Sequence, residues 1–85
     1  MKARDDFRIS DDHSIEWGNA TWDENDTSIR NRYDNAKGGK FNYAGSGEIP
    51  WADFITMIHE SIRRNHFSDD ELKEIEKLIS NRRNS

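Results

Sequence analysis

The spacing of apolar residues changes character at Gly45-Ser46-Gly47, and that change limits what the chain can fold into. Before it, short runs place apolar residues on alternate positions; after it, they recur at every third or fourth. These are the periods of a strand and of a helix. The order predicts an α+β fold: a small N-terminal antiparallel sheet of two β-hairpins packed on a C-terminal αα-hairpin. Along the chain this reads as a flexible arm over 1–12, hairpins over 13–44, a joint over 45–49 and the helical hairpin over 50–83, together one small domain.

In the first half the clearest signal is Ser14-Ile15-Glu16-Trp17-Gly18-Asn19-Ala20-Thr21-Trp22-Asp23. Gly18-Asn19 suits a primed two-residue turn, which would pair Trp17 with Ala20 and Ile15 with Trp22. Ile15, Trp17, Ala20 and Trp22 then share a dry face, and Ser14, Glu16, Thr21 and Asp23 a wet one. A second hairpin is expected from Ile29 to Tyr33 and Lys40 to Ala44, joined by Asp34-Asn35-Ala36-Lys37-Gly38-Gly39. Its alternation places Ile29, Tyr33, Phe41 and Tyr43 on one face and Arg30, Arg32, Lys40 and Asn42 on the other. Phe7 and Ile9 also alternate, so the arm reads equally as an edge strand.

In the second half Pro50 opens a helix whose stripe is Trp51, Phe54, Ile55, Ile58 and Ile62. That helix fades near Asn65. A second start signal follows at once: Ser68 as N-cap, Glu71 as its capping-box partner, and Phe67 placed to staple against Leu72. Leu72, Ile75, Leu78 and Ile79 form the second stripe. Two short helices cannot cover both stripes, so a third surface is required. It is either the Ile15/Trp17/Trp22 face or another copy of the chain in a homodimer.

Core material is scarce, since Leu, Ile, Val and Phe make up 15 of 85 residues. That lies under the roughly 20% below which disorder competes with folding. Three Trp among nine aromatic residues favour the folded outcome. The absence of Cys excludes disulfides and thiolate metal sites. The charged stretch from Met1 to Asp6 has no apolar run behind it, so neither a signal peptide nor a membrane span is expected, and the cytoplasm is the expected location.

No constellation names a reaction. His59-Glu60 has Arg63 where a second zinc-ligating His is needed, and His13 and His66 have no partner at ligand spacing. Asp23, Asn25, Thr27, Asn31 and Asp34 fall on calcium-loop positions, but Ser28 stands where the loop needs Gly and Asp34 where it needs a bidentate Glu. Lys37-Gly38-Gly39-Lys40 lacks the phosphate-loop spacing and leads into no helix. None of the seventeen acids is singled out as a catalytic pair. A non-enzyme without metal or cofactor is therefore expected.

Charge carries the remaining information. Thirteen Lys and Arg oppose seventeen Asp and Glu, a net charge of −4. Residues 5–28 hold eight acids against Arg8 alone, whereas 30–40 hold Arg30, Arg32, Lys37 and Lys40 against Asp34. The leading expectation is a small protein that binds and modulates or inhibits a protein partner with a basic surface, as an inhibitor, immunity-type factor or adaptor. Asp11, Asp12, Asp23, Glu24 and Asp26 would form the binding surface, standing in for phosphates. Small acidic proteins of phages and mobile elements that block nucleic-acid-handling defence enzymes share this size and charge. The alternative is a nucleic-acid-binding accessory protein using Arg30, Arg32, Lys37 and Lys40 beside aromatic residues, which the overall acidity opposes.

Overall fold

The structure, a computed structural model, describes residues 1–35, 40–42 and 45–85. Strands β1 (Lys2–Ser10), β2 (His13–Asn19), β3 (Thr27–Tyr33) and β4 (Glu48–Pro50) form one antiparallel sheet in the order β1-β2-β3-β4. Helices α1 (Trp51–Arg63) and α2 (Asp69–Arg83) follow. This is the α+β order expected from the change in periodicity. The chain divides into two compact units, Met1–Ile55 and Thr56–Ser85.

In the first unit the hairpin turn lies at Asp11 and Asp12, and residues 1–12 are an edge strand and its turn instead of a flexible arm. The turn expected at Gly18-Asn19 is not there, because β2 runs straight through both residues. Gly18 serves a different need. A Cβ at this position would lie 2.1 Å from the Lys2 carbonyl oxygen and 2.9 Å from the Ala3 Cα, so the two backbones approach more closely than any side chain allows. The register between β1 and β2 shifts beside this contact, between Ala3 and Asp5, and again between Arg8 and Ser10. A one-residue excess on an edge strand produces such bulges.

Losing that turn changes which residues share a face. Trp17 pairs with Ile29 and Ile29 with Ile49, while Ile15 pairs with Phe7, so these five form one face. Ala20 falls on the opposite parity from Ile15 and Trp17, and Trp22 leaves the sheet for the β2–β3 loop, 51% exposed. The other face carries Ser14, Glu16, Ser28 and Arg30, each buried, with Glu48 opposite Arg30. The polar face is thus the more fully shielded of the two, since of the five apolar residues opposite it only Ile29 is buried, and this reverses the expected wet and dry faces.

Hydrogen bonding makes that burial tolerable. Arg30 donates from Nε and Nη2 to Glu16 Oε1 at 2.9 and 2.6 Å, and Arg32 Nη1 reaches Glu16 Oε2 at 3.5 Å. Arg32 Nε also donates to Asp34 at 3.0 Å. Both guanidinium groups lie 4.5 Å from the Phe41 ring centroid. Among the described residues, no buried side-chain nitrogen or oxygen lacks a hydrogen-bond partner.

Phe41 bridges Asp34, and the Asn42 N–H donates to the Tyr33 carbonyl, as a returning hairpin requires. No strand covers residues 40–42. The expected turn residues Ala36, Lys37, Gly38 and Gly39, and Tyr43 and Ala44 of the expected return strand, lie outside the described residues. The expected joint is shorter than 45–49, since β4 begins at Glu48, and Ser46 is buried with its hydroxyl bonded to both backbone groups of Tyr33.

In the second unit, α1 ends where the sequence indicates. Asn65 takes a left-handed φ of 62°, while the N–H groups of Asn65 and His66 donate to the carbonyls of Ile62 and Ser61. This double closure satisfies the helix end. The capping box of α2 is complete, with Glu71 N–H donating to Ser68 Oγ at 3.1 Å and Ser68 N–H donating to Glu71 Oε1 at 2.8 Å. Phe67 and Leu72, the residues of the expected staple, are both half-buried. No residue of α1 or α2 is buried, and Leu78 and Ile79 are 58% and 54% exposed.

Candidate interaction surface

The β2–β3 loop, residues 20–26, is where acidic and aromatic side chains meet. Short polar residues write its shape. Asp23 Oδ1 accepts the Asn25 N–H at 2.9 Å, and the Asp23 carbonyl accepts the Asp26 N–H at 3.0 Å. A carboxylate that bonds its own backbone two residues on makes a tight turn at small cost. Ala20 N–H closes the loop onto the Asp26 carbonyl at 2.9 Å, and Asn19 Nδ2 holds the Glu24 carbonyl at 2.6 Å. The loop is a tied platform that turns the Asp23 and Glu24 side chains outward, both residues being exposed.

Trp22 stands on this platform with its indole N–H bonded to Asp26 Oδ2 at 3.1 Å. Pairing of Ser28 with Pro50 carries the start of α1 alongside. The result is a cleft of about 290 Å³ lined by Trp22, Asn25, Asp26, Pro50 and Trp51 among others. Trp51 is 39% exposed and its ring lies 5.3 Å from that of Phe54. Two exposed indoles beside a row of carboxylates form a surface of the kind that anchors a protein partner, because Trp combines large contact area with little rotamer entropy.

The five expected acidic site residues are not one cluster. Asp23, Glu24 and Asp26 share this loop, whereas Asp11 and Asp12 form the β1–β2 turn at the opposite end of the sheet. Seven-residue strands separate the two ends by roughly 20 Å at about 3.3 Å per residue. Sequence reasoning assigned Trp22 and Trp51 to the core and so missed them as site residues. The signal for Trp22 was its setting in Thr21-Trp22-Asp23-Glu24-Asn25-Asp26, where no apolar neighbour accompanies it.

The expected basic site is differently placed. Arg30 and Arg32 do share a face, but Arg30 is 8% exposed and bound to Glu16, and Arg32 is held by Glu16 and Asp34. Burial works to lower the basicity of Arg32, yet the Asp34 and Glu16 carboxylates outweigh it and raise it above the ordinary value. A hollow of about 320 Å³ borders these residues and Phe41, and its two guanidinium groups are already matched by carboxylates. Lys40 is exposed, and Lys37 lies outside the described residues.

Glu48 braces the loop from β4. Its carboxylate accepts from the Thr21 N–H at 3.1 Å, the Ser28 hydroxyl at 3.0 Å and the Thr21 hydroxyl, and it faces the Met1 ammonium at 3.4 Å. Burial works to raise its pKa, but these bonds prevail and hold it below the ordinary glutamate value. Elsewhere His13 stacks on Tyr33 with ring centroids 4.3 Å apart and bonds Asn31. Among the described residues, no group of three or more His, Asp or Glu is placed to hold a metal ion, and no helix is long and apolar enough to cross a membrane. Comparison of the chain with models of protein families, with curated proteins and with solved structures finds no match.

Proposed function

We propose that this chain is a binding protein, not an enzyme, acting in the cytoplasm by seating a basic surface of a protein partner on the β2–β3 loop and the adjoining Trp22–Trp51 cleft. One observation carries this reading: two half-exposed indoles line one cleft beside Asp26, with Asp23 and Glu24 on the same tied loop. The carboxylates supply long-range attraction and orientation, and the indoles supply desolvated contact area, including stacking with Arg or Lys of the partner. A role as inhibitor, immunity-type factor or adaptor, in the manner of small acidic phage or mobile-element proteins, fits this chemistry. Binding of nucleic acid ranks second because Arg30 and Arg32 are engaged within the sheet.

The test is capture of partners from the native host by the full chain, followed by affinity measurement. Asp23→Asn, Glu24→Gln and Asp26→Asn together should slow association and flatten its salt dependence, and Trp22→Ala or Trp51→Ala should speed dissociation. Unchanged binding by both sets of variants overturns the reading. So does tight, steeply salt-dependent binding of the wild type to DNA or RNA.

A further inference from the structure

β1 is one rim of the sheet, and all nine of its residues are exposed. The other rim, β4, has three residues and ends at Pro50, which has no N–H to donate. An exposed strand with free backbone groups along its outer side is a template for another strand. Here the two bulges leave a regular run from Asp5 to Arg8. Phe7 in that run is 61% exposed, on the face it shares with Ile15. Asp6 and Arg8 flank it on the other face, opposite Glu16 and Ser14. Asp6 has no ion-pair partner among the described residues, and the only carboxylate near Arg8 there is Asp34 at 3.9 Å.

The charges on β1 discriminate among the ways it could pair with itself. A two-fold axis normal to a continuous sheet keeps each face on its own side, so it must pass through a residue, and the residues flanking it meet in reciprocal pairs. Placed at Arg4, Asp5, Asp6 or Arg8, the axis sets that charge against its own copy. At Lys2 it sets Lys against Lys, at Ala3 it sets Lys2 against Arg4, and Ile9 and Ser10 lie at or beyond the second bulge, outside the regular run from Asp5 to Arg8. At Phe7 no like charges meet within that run: Phe7 faces Phe7, and Asp6 of each copy faces Arg8 of the other. Aromatic and opposite-charge pairs at such positions each stabilise a sheet.

We propose that β1 pairs antiparallel with β1 of a second copy of this chain, on a two-fold axis through Phe7. The apolar face then runs unbroken from Ile49, Ile29, Trp17 and Ile15 of one copy through the two Phe7 rings into the other. This pairing is independent of the partner-binding loop.

Sedimentation of the full chain from micromolar to millimolar concentration tests it, with circular dichroism as the check on folding. The wild type should sediment at twice the chain mass. Arg8→Asp sets Asp against Asp at both flanks and Asp6→Arg sets Arg against Arg, so each should weaken the dimer by about tenfold or more. Because the two variants complement each other, mixing them should restore a dimer, and the double variant Asp6→Arg/Arg8→Asp should dimerise alone. This rescue separates register from any structural effect of either substitution. A wild type that stays monomeric throughout overturns the proposal, as does a dimer that both single variants leave intact, such as one built on the exposed Leu78 and Ile79.

Discussion

Removing one carboxylate from the polar face should be the most damaging single change in the sheet. Glu16 is 6% exposed, and its Oε1 takes two N–H bonds from an Arg30 that is itself 8% exposed. Glu16→Ala leaves Arg30 buried with no carboxylate in contact, because Asp34 is engaged by Arg32. Stranding one member of a buried pair costs about 3–5 kcal/mol, comparable to the whole stability of a small domain. With a urea slope of about 1 kcal/mol/M, the midpoint should fall by about 3–5 M or the chain should be unfolded without denaturant. Arg32→Ala should cost far less, about 1 kcal/mol, since that side chain is 31% exposed and Glu16 keeps Arg30. Replacing both partners, as Glu16→Leu with Arg30→Met, should recover most of the loss because no charge is left behind. Urea melts followed by far-UV circular dichroism decide the matter. A Glu16→Ala midpoint within about 0.5 M of wild type, at a slope of this size, would show that Arg30 does not depend on the Glu16 carboxylate.

Gly18→Ala places a methyl 2.1 Å from the Lys2 carbonyl oxygen, so β1 should detach at this end, with faster amide exchange over residues 2–5 and a loss of about 1–3 kcal/mol. Ser68→Ala should cost about 1 kcal/mol through the lost cap of α2, read as a lower thermal midpoint, whereas Glu71→Gln keeps an acceptor for the Ser68 N–H and should cost less. Glu48 has a folded pKa depressed below the ordinary value near 4.5, so its contribution is present above that value and is lost as pH falls through the lower folded one. The stability of Glu48→Gln should accordingly decline less steeply than that of wild type as pH falls below 4.5, and equal slopes in acid melts would contradict this sign.

Local chemistry made the helices legible. Ser68 and Glu71 form a capping box, and Asn65 tolerates a left-handed backbone, wherever the helices pack. The strands were legible in kind but not in register. Gly18-Asn19 has the residue types of a hairpin turn, and only the close passage of Lys2 and Ala3 explains why a Gly inside a strand is needed. That passage joins residues far apart in sequence, which local spacing does not encode. The face assignment failed for a related reason. Hydrophobicity ranks Ile15 and Trp17 above Ser14 and Glu16, but the pairing of β2 with β3 brings Glu16 opposite Arg30 and makes the polar side the one that closes. Of the candidate site, Asp23, Glu24 and Asp26 were legible from charge alone. The part played by Trp22 and Trp51 depended on knowing where the strands end.

A sheet that hides its charged side has a calorimetric consequence. Exposure of apolar surface raises the heat capacity on unfolding, and exposure of polar surface lowers it. Because Ser14, Glu16, Ser28 and Arg30 supply so much of what the first unit conceals, its heat-capacity increment should fall below the usual range of about 12–15 cal/mol/K per residue. The stability curve is then broad, and cooling erodes it little. Heating, which lessens the penalty of keeping ions away from water, weakens the Glu16–Arg30 pair less than it would weaken an oily core of the same size.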